Sequence, residues 1–288
     1  MDKPLSVTTK MDETVIQYER KFGFRNRGWT TSANFAQVFF QVPDSDTLPK
    51  CDVLFCLQIP APFKGHYNWP FSTLVLDLER SESSILGAMK PETRRQIRQM
   101  ERSQAYVTDI IPNPSGALID EFCTFYDTFA RLKGVEGVHP EEIYAIARQQ
   151  RLVLGCARDE GGRAVVWHAY YRGATRAVQL CSASHFRNAA SPSERATVGK
   201  ANRWLHWQEV LYFRRTEIAM FDFGGWYAGS SDQALLRINK FKEEFGGSIL
   251  HEWNSRLGCS AKGKAFVATR RWHDRFTGMA RTRLEQKW

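Results

Sequence analysis

The strongest constraint on the fold lies between residues 152 and 183. There, three apolar β-prone runs (Leu152–Ala157, Ala164–Tyr171 and Arg176–Ala183) follow one another with only short turns between them. Asp159-Glu160-Gly161-Gly162 and Arg172-Gly173 are turn sequences of the hairpin kind. Strands joined by hairpins lie antiparallel, whereas a doubly wound parallel sheet needs a helical crossover between each pair. Two helices are expected just before the meander. In the first, Leu118, Phe122, Phe125, Phe129 and Leu132 fall on one helical face, and the second opens at Pro140. After the meander come a polar stretch, a long helix over Thr197–Arg214, a strand over Ile218–Phe223, a helix over Asp232–Phe245 and a strand over Ser248–Trp253. The order α-α-β-β-β-α-β-α-β predicts a mixed α/β (α+β) architecture.

The first part of the chain predicts short strands at Thr14–Tyr18, Phe35–Val42, Val53–Ile59 and Thr73–Leu78, with an irregular loop over Pro60–Pro70. A helix from Glu82 and a basic helix with Arg94, Arg95, Arg98 and Arg102 follow. Asn113-Pro114-Ser115-Gly116 is the expected boundary, giving domains 1–115 and 116–254, with 255–288 returning to pack on the first. The tail predicts a last strand and a basic helix over Thr269–Leu284, bearing Arg270, Arg271, Arg275, Arg281 and Arg283.

The apolar runs are too short to span a bilayer, and charged residues from Asp2 onward argue against a signal peptide, so a cytoplasmic location is expected. The six cysteines are scattered without a Cys-x-x-Cys pair, and no His/Cys or His/carboxylate spacing suggests a zinc site; no metal is expected. The net charge of +9 fits an anionic partner such as a coenzyme, a nucleotide-linked molecule, tRNA or a membrane surface, without choosing among them.

Four groups of residues are candidates for chemistry. Gly199, Lys200 and Ala201 fall near the expected start of the long helix, where unpaired N–H groups can bind phosphate. Asp222 lies in Phe221-Asp222-Phe223-Gly224-Gly225, a strand ending in two glycines, where it can deprotonate or orient an amine. His168, on an apolar strand, is a second candidate base, against the alternative of a satisfied core histidine. Lys242, in Phe241-Lys242-Glu243-Glu244-Phe245-Gly246-Gly247, sits in the last turn of a helix, where it also complements the helix dipole without any ligand. No Gly-x-Ser-x-Gly elbow is present, which disfavours a serine hydrolase.

Taken together, Thr93-Arg94-Arg95-Gln96-Ile97-Arg98 and the two glycine-containing blocks around Asp222 and Lys242 resemble the FemAB-like transferases of the GNAT superfamily, over about Thr73 to Trp253. The resemblance implies two GNAT-like (acyl-CoA N-acyltransferase-like) lobes with mixed, largely antiparallel sheets and a cleft between them. It implies transfer of an acyl group to an amine, with acyl-CoA or aminoacyl-tRNA as donor and a small-molecule or nucleotide-linked amine as acceptor. Lys242, Phe241, Gly224, Gly225, Arg95 and Arg98 would then serve the acceptor, Gly199–Ala201 the donor phosphates, and Asp222 or His168 the proton. The helical-hairpin insertion of some Fem enzymes is absent. The competing class is a non-catalytic module that grips RNA or a membrane surface through its basic helices; aromatic residues at buried-looking periodic positions count against it.

Overall fold

The computed structural model describes residues 14–23, 30–43, 48–103, 105–187 and 191–277. Among these residues the strands are β1 (Ile16–Gly23), β2 (Thr30–Phe39), β3 (Val53–Ile59), β4 (Tyr67–Asp77), β5 (Tyr106–Pro112), β6 (Leu152–Asp159), β7 (Ala164–Arg172), β8 (Arg176–Ser184), β9 (Met220–Gly225) and β10 (Ser248–Gly258). The helices are α1 (Glu82–Ala88), α2 (Pro91–Ser103), α3 (Gly116–Lys133), α4 (Pro140–Arg148), α5 (Pro192–Arg215), α6 (Gln233–Glu243) and α7 (Ala261–Thr277). None is long and apolar enough to cross a membrane. Arg281 and Arg283 lie outside the described residues.

All the strands belong to one sheet, in the order β1-β2-β3-β10-β4-β9-β8-β7-β6-β5. The neighbours are antiparallel except β2 with β3 and β8 with β9. The meander forms as its turns require: Gly162 takes φ +76° and its N–H donates to Asp159 O, while Gly173 N–H donates to Arg176 O. Alternation along the strands then divides the core. Leu152, Leu154, Cys156, Trp167, Ala169 and Tyr171 pack with α3 and α4 on one face. Val153, Ala157, Val166 and Tyr170 pack with α2 and α5 on the other.

Several elements differ from expectation. The sheet continues across the 115/116 position, because β5, a half-exposed edge strand that the sequence pattern does not mark, pairs with β6. β4 starts at Tyr67, inside the expected loop, since Pro70 pairs with Trp253 of β10. β10 inserts between β3 and β4, and the Phe266 ring of α7 meets Phe35 edge-on and Phe22 at a tilt.

At the turn before β10, Gly247 has φ +92°, and a Cβ there would lie 2.4 Å from Val75 O. Gly247→Ala combines a left-handed residue with a backbone clash. It is expected to cost about 3 kcal/mol or more in urea denaturation.

Candidate functional site

The parallel pair β8–β9 is short. Arg176, Ala177 and Val178 align with Met220, Phe221 and Asp222, and the pairing then stops. Beyond it β8 runs on to Ser184 beside β7 alone, while β9 follows β4 to Gly225. The sheet therefore opens into a wedge in which the β9-facing edge of β8 has no strand partner. A bulge sits at that point: Cys181 aligns with Ala169 and Gln179 with Tyr170, leaving Leu180 as the extra residue. Such a bulge disrupts the local ladder and re-aims backbone groups.

A cavity of about 420 Å³ fills the wedge on the α3–α4 side. Its walls include Gln179–Ser182 of β8, Phe223 and Gly225 of β9, residues of the α3–α4 connection, and Phe266 and Arg270 of α7. Aromatic side chains such as Trp69 and Phe55 supply much of the lining, and Arg20, Lys242, Arg256 and Arg270 place positive charge around it. Trp69 Nε1 and Gln37 Oε1 are buried and have no hydrogen-bond partner among the described residues.

Lys242 does reach this cavity. Its Nζ donates to Gly224 O (3.2 Å) and Gly225 O (2.5 Å), so it fastens α6 to the end of β9. Burial lowers its pKa to about 8, with Asp222 opposing the shift. Gly224 itself takes φ +70°. Gly225 lines the cavity, whereas Phe241 turns toward α5 and lies under the Arg203 guanidinium at 4.9 Å.

Asp222 and His168 do not line the cavity. Asp222 is fully buried and accepts from Thr73 Oγ1, Gly224 N–H (2.7 Å), Gln58 Nε2 (2.7 Å) and Arg176 Nε (2.9 Å). These donors occupy both carboxylate oxygens and tie Asp222 into the sheet, away from the cavity. Arg176 also binds Glu252 through Nη1 (2.7 Å) and Nη2 (2.8 Å) and stacks over Phe40 at 4.6 Å. The group is a buried tie between β8, β9 and β10.

His168 points the other way, toward α5. Its Nδ1 contacts both oxygens of Glu209 (2.9 Å) and its Nε2 contacts Asn202 Oδ1 (2.9 Å). His206 stacks on it at 4.2 Å and lies 3.2 Å from Glu209, which also accepts from Tyr170 Oη. His168, His206 and Glu209 bring potential metal-ligand atoms within 4.8 Å of one another, a cluster the sequence spacing did not reveal. Burial raises the Glu209 carboxyl, but the His168 and His206 rings outweigh it and hold the pKa at about 2. These groups satisfy one another inside the core.

The remaining expectations are displaced. α5 begins at Pro192, not near Thr197, because Ser191 caps it by accepting from Glu194 N–H (3.1 Å). Gly199, Lys200 and Ala201 are thus in the helix interior, where N–H groups bond back along the helix and cannot cradle phosphate. Arg95 and Arg98 lie on the exposed face of α2, along a separate open hollow of about 600 Å³ that also includes Arg94 and Arg102. Arg95 is paired there with Glu92 at 2.6 Å.

One group in the cavity escaped sequence reasoning. Glu142, in the first turn of α4, is 6% exposed, lines the cavity and accepts from Gln37 Nε2 at 2.7 Å. Burial pushes its pKa up to about 8, against the opposing effects of Gln37 and Arg20. In the sequence it reads only as an acid placed to complement the dipole of a helix opened by Pro140.

A folded pKa of about 8 against an ordinary 4.5 means that the native state binds more protons than the unfolded chain between those values. The stabilisation is complete below 4.5 and is lost as pH rises to about 8. Glu142→Gln should remove a slope of up to about 1.4 kcal/mol per pH unit in that window, read from denaturation midpoints across pH.

At the level of sequence, no family model and no curated protein matches the chain. Solved structures do. The chain superposes on FemX with a TM-score of 0.57 at 9% identity, covering 83% of this chain and 88% of that one. It superposes on the C-terminal domain assigned to a lysylphosphatidylglycerol synthetase of Agrobacterium fabrum with a TM-score of 0.50 at 12% identity, covering 83% and 84%. At such identities the likeness concerns the fold, and that fold is the FemAB-like one expected from the motifs.

Proposed function

We propose that this chain, built on the fold it shares with FemX, transfers an acyl or aminoacyl group from an activated donor to an amine. The observation that carries the reading is the wedge between β8 and β9, with the Leu180 bulge of the β7–β8 ladder beside it and a cation-lined cavity beyond it. Backbone N–H groups of β8 past Val178 that face away from β7 have no strand partner among the described residues, and they would hold the donor carbonyl and the oxyanion formed from it. The amine attacks that carbonyl: a C–N bond forms, the C–S or C–O bond to the donor breaks, and the proton leaving nitrogen ends on the departing thiol or hydroxyl.

Acyl-CoA is the favoured donor. Its extended arm carries two amides that can hydrogen-bond along an open strand edge as an added strand does. Its phosphates would lie nearer the capped start of α5 than the Gly199–Ala201 segment. Lys242, with Arg20 and Arg270 also lining the cavity, favours an acceptor bearing a phosphate or carboxylate.

Aminoacyl-tRNA is the second reading, supported by the exposed arginine face of α2 with Arg95, Arg98 and Arg102. Incubating the protein with labelled acetyl-CoA or charged tRNA and pooled amines separates the two. Transfer from acetyl-CoA that survives RNase supports the first, RNase-sensitive transfer supports the second, and no transfer from either donor contradicts the proposal.

A further inference from the structure

The α4 end of the cavity holds three polar groups with an unusual balance. Gln37, 1% exposed, spends its Nε2 on Glu142 (2.7 Å) and on Tyr18 Oη (2.9 Å). Its Oε1 is left without a partner, although it is buried in the cavity wall. An orphaned acceptor in a native core calls for a donor that is absent from the free protein. Beside it, Glu142 has one oxygen tied to Gln37. Both groups accept, they lie together, and the same cavity reaches the β8 edge at Cys181.

We propose that Gln37 Oε1 and the Glu142 carboxyl form the subsite for the ammonium end of the acceptor, and that Glu142 takes the proton that turns this ammonium into the nucleophilic amine. The proposal rests on the transferase reading and deepens it. The partner is recognised by its chemistry: a primary amine with an anionic group elsewhere in the molecule, the amine at α4 and the anion toward Lys242 and the arginines. The proton balance is simple. A neutral Glu142 meets an ammonium ion, one proton leaves to solvent, and the one that remains is shared between nitrogen and carboxylate.

The groups that act on Glu142 are Tyr18 and Arg20 from β1, Gln37 from β2, Cys181 from β8 and Glu141 on its own helix. Burial outweighs Arg20 and Gln37 and keeps the carboxyl protonated at pH 7. Tyr18 and Cys181 are themselves pushed up by burial and stay neutral there. An arriving cation reverses the balance for Glu142 alone.

Isothermal titration at pH 7, in two buffers of different ionisation heat, counts the protons released per ligand bound. The probes are phosphoethanolamine, which carries both groups, and inorganic phosphate, which carries only the anion. Wild type is expected to release roughly one proton with phosphoethanolamine through Glu142, whereas any release with phosphate, whose own second ionisation lies near neutral pH, is expected to be the same with and without Glu142. Glu142→Gln should abolish the release, and Gln37→Leu should weaken phosphoethanolamine about tenfold or more, both leaving phosphate affinity unchanged. Glu142→Asp, which keeps the carboxyl, should retain part of the release.

Phosphoethanolamine binding without proton release, release unchanged in Glu142→Gln, or phosphate binding with no gain from the amine would overturn the subsite while leaving the transferase reading intact. Proton release as expected, with no transfer to any amine, would instead sink the transferase reading and leave the subsite standing.

Discussion

Arg176→Met is expected to lower the stability of the protein by about 3–5 kcal/mol. Arg176 is the cation between two buried carboxylates, Asp222 and Glu252, and its guanidinium satisfies both. Methionine preserves much of the volume, so the loss is electrostatic. Asp222 would keep Thr73, Gln58 and the Gly224 N–H, while Glu252 would lose both contacts made by the guanidinium. Burial already raises the Glu252 carboxyl, and without Arg176 it would be driven further toward the protonated form. Urea denaturation reads the loss directly. Arg176→Met combined with Glu252→Gln removes one of the stranded charges and should recover part of it. A change below about 1 kcal/mol in the single variant would mean that the tie does not hold β8, β9 and β10 together.

The second large effect is on activity. Lys242→Met should reduce kcat/KM for transfer about 10- to 150-fold, the range expected when hydrogen bonds from a charged group are lost at a buried site. The lysine does two things at once: it holds the Gly224 and Gly225 carbonyls at the mouth of the wedge, and it supplies positive charge to the cavity. If the charge matters to the acceptor, the change falls mainly on KM and is largest for acceptors with a phosphate. If only the carbonyls matter, kcat falls for all acceptors alike. An unchanged kcat/KM for every acceptor would separate Lys242 from the chemistry altogether.

The parts of the fold visible in the sequence are those specified locally. The β6–β8 meander shows in its turn residues and its run of strand-forming side chains, and α3 shows in its apolar stripe. The start of α5 is also written locally, in Ser191-Pro192-Ser193-Glu194, ahead of the Thr197 start expected from the pattern. The wedge was not legible. It depends on β9 leaving β8 to pair with β4, from a distant part of the chain, and on a one-residue bulge with no marker of its own.

Asp222 and His168 stand out in the sequence as polar residues on apolar strands, a pattern equally produced by buried tie points. The difference lies in partners such as Arg176, Gln58 and Glu209, which only the assembled sheet and α5 bring to them. Lys242, which lines the cavity, stands out in the sequence because its block of glycines and aromatics is distinctive. Glu142 was missed because its cavity is made by α4 leaning over β1 and β2, a contact that no spacing along the chain encodes.

The central claim is that the opening between β8 and β9 holds the acyl carbonyl. A structure of the protein with an unreactive thioether analogue of acyl-CoA, or with an amide-linked aminoacyl-adenosine for the alternative donor, tests it most directly. The account predicts the analogue's carbonyl oxygen within hydrogen-bonding distance of a β8 backbone N–H beyond Val178, with the acyl group inside the cavity. An analogue bound along the arginine face of α2, with the wedge empty, would contradict it.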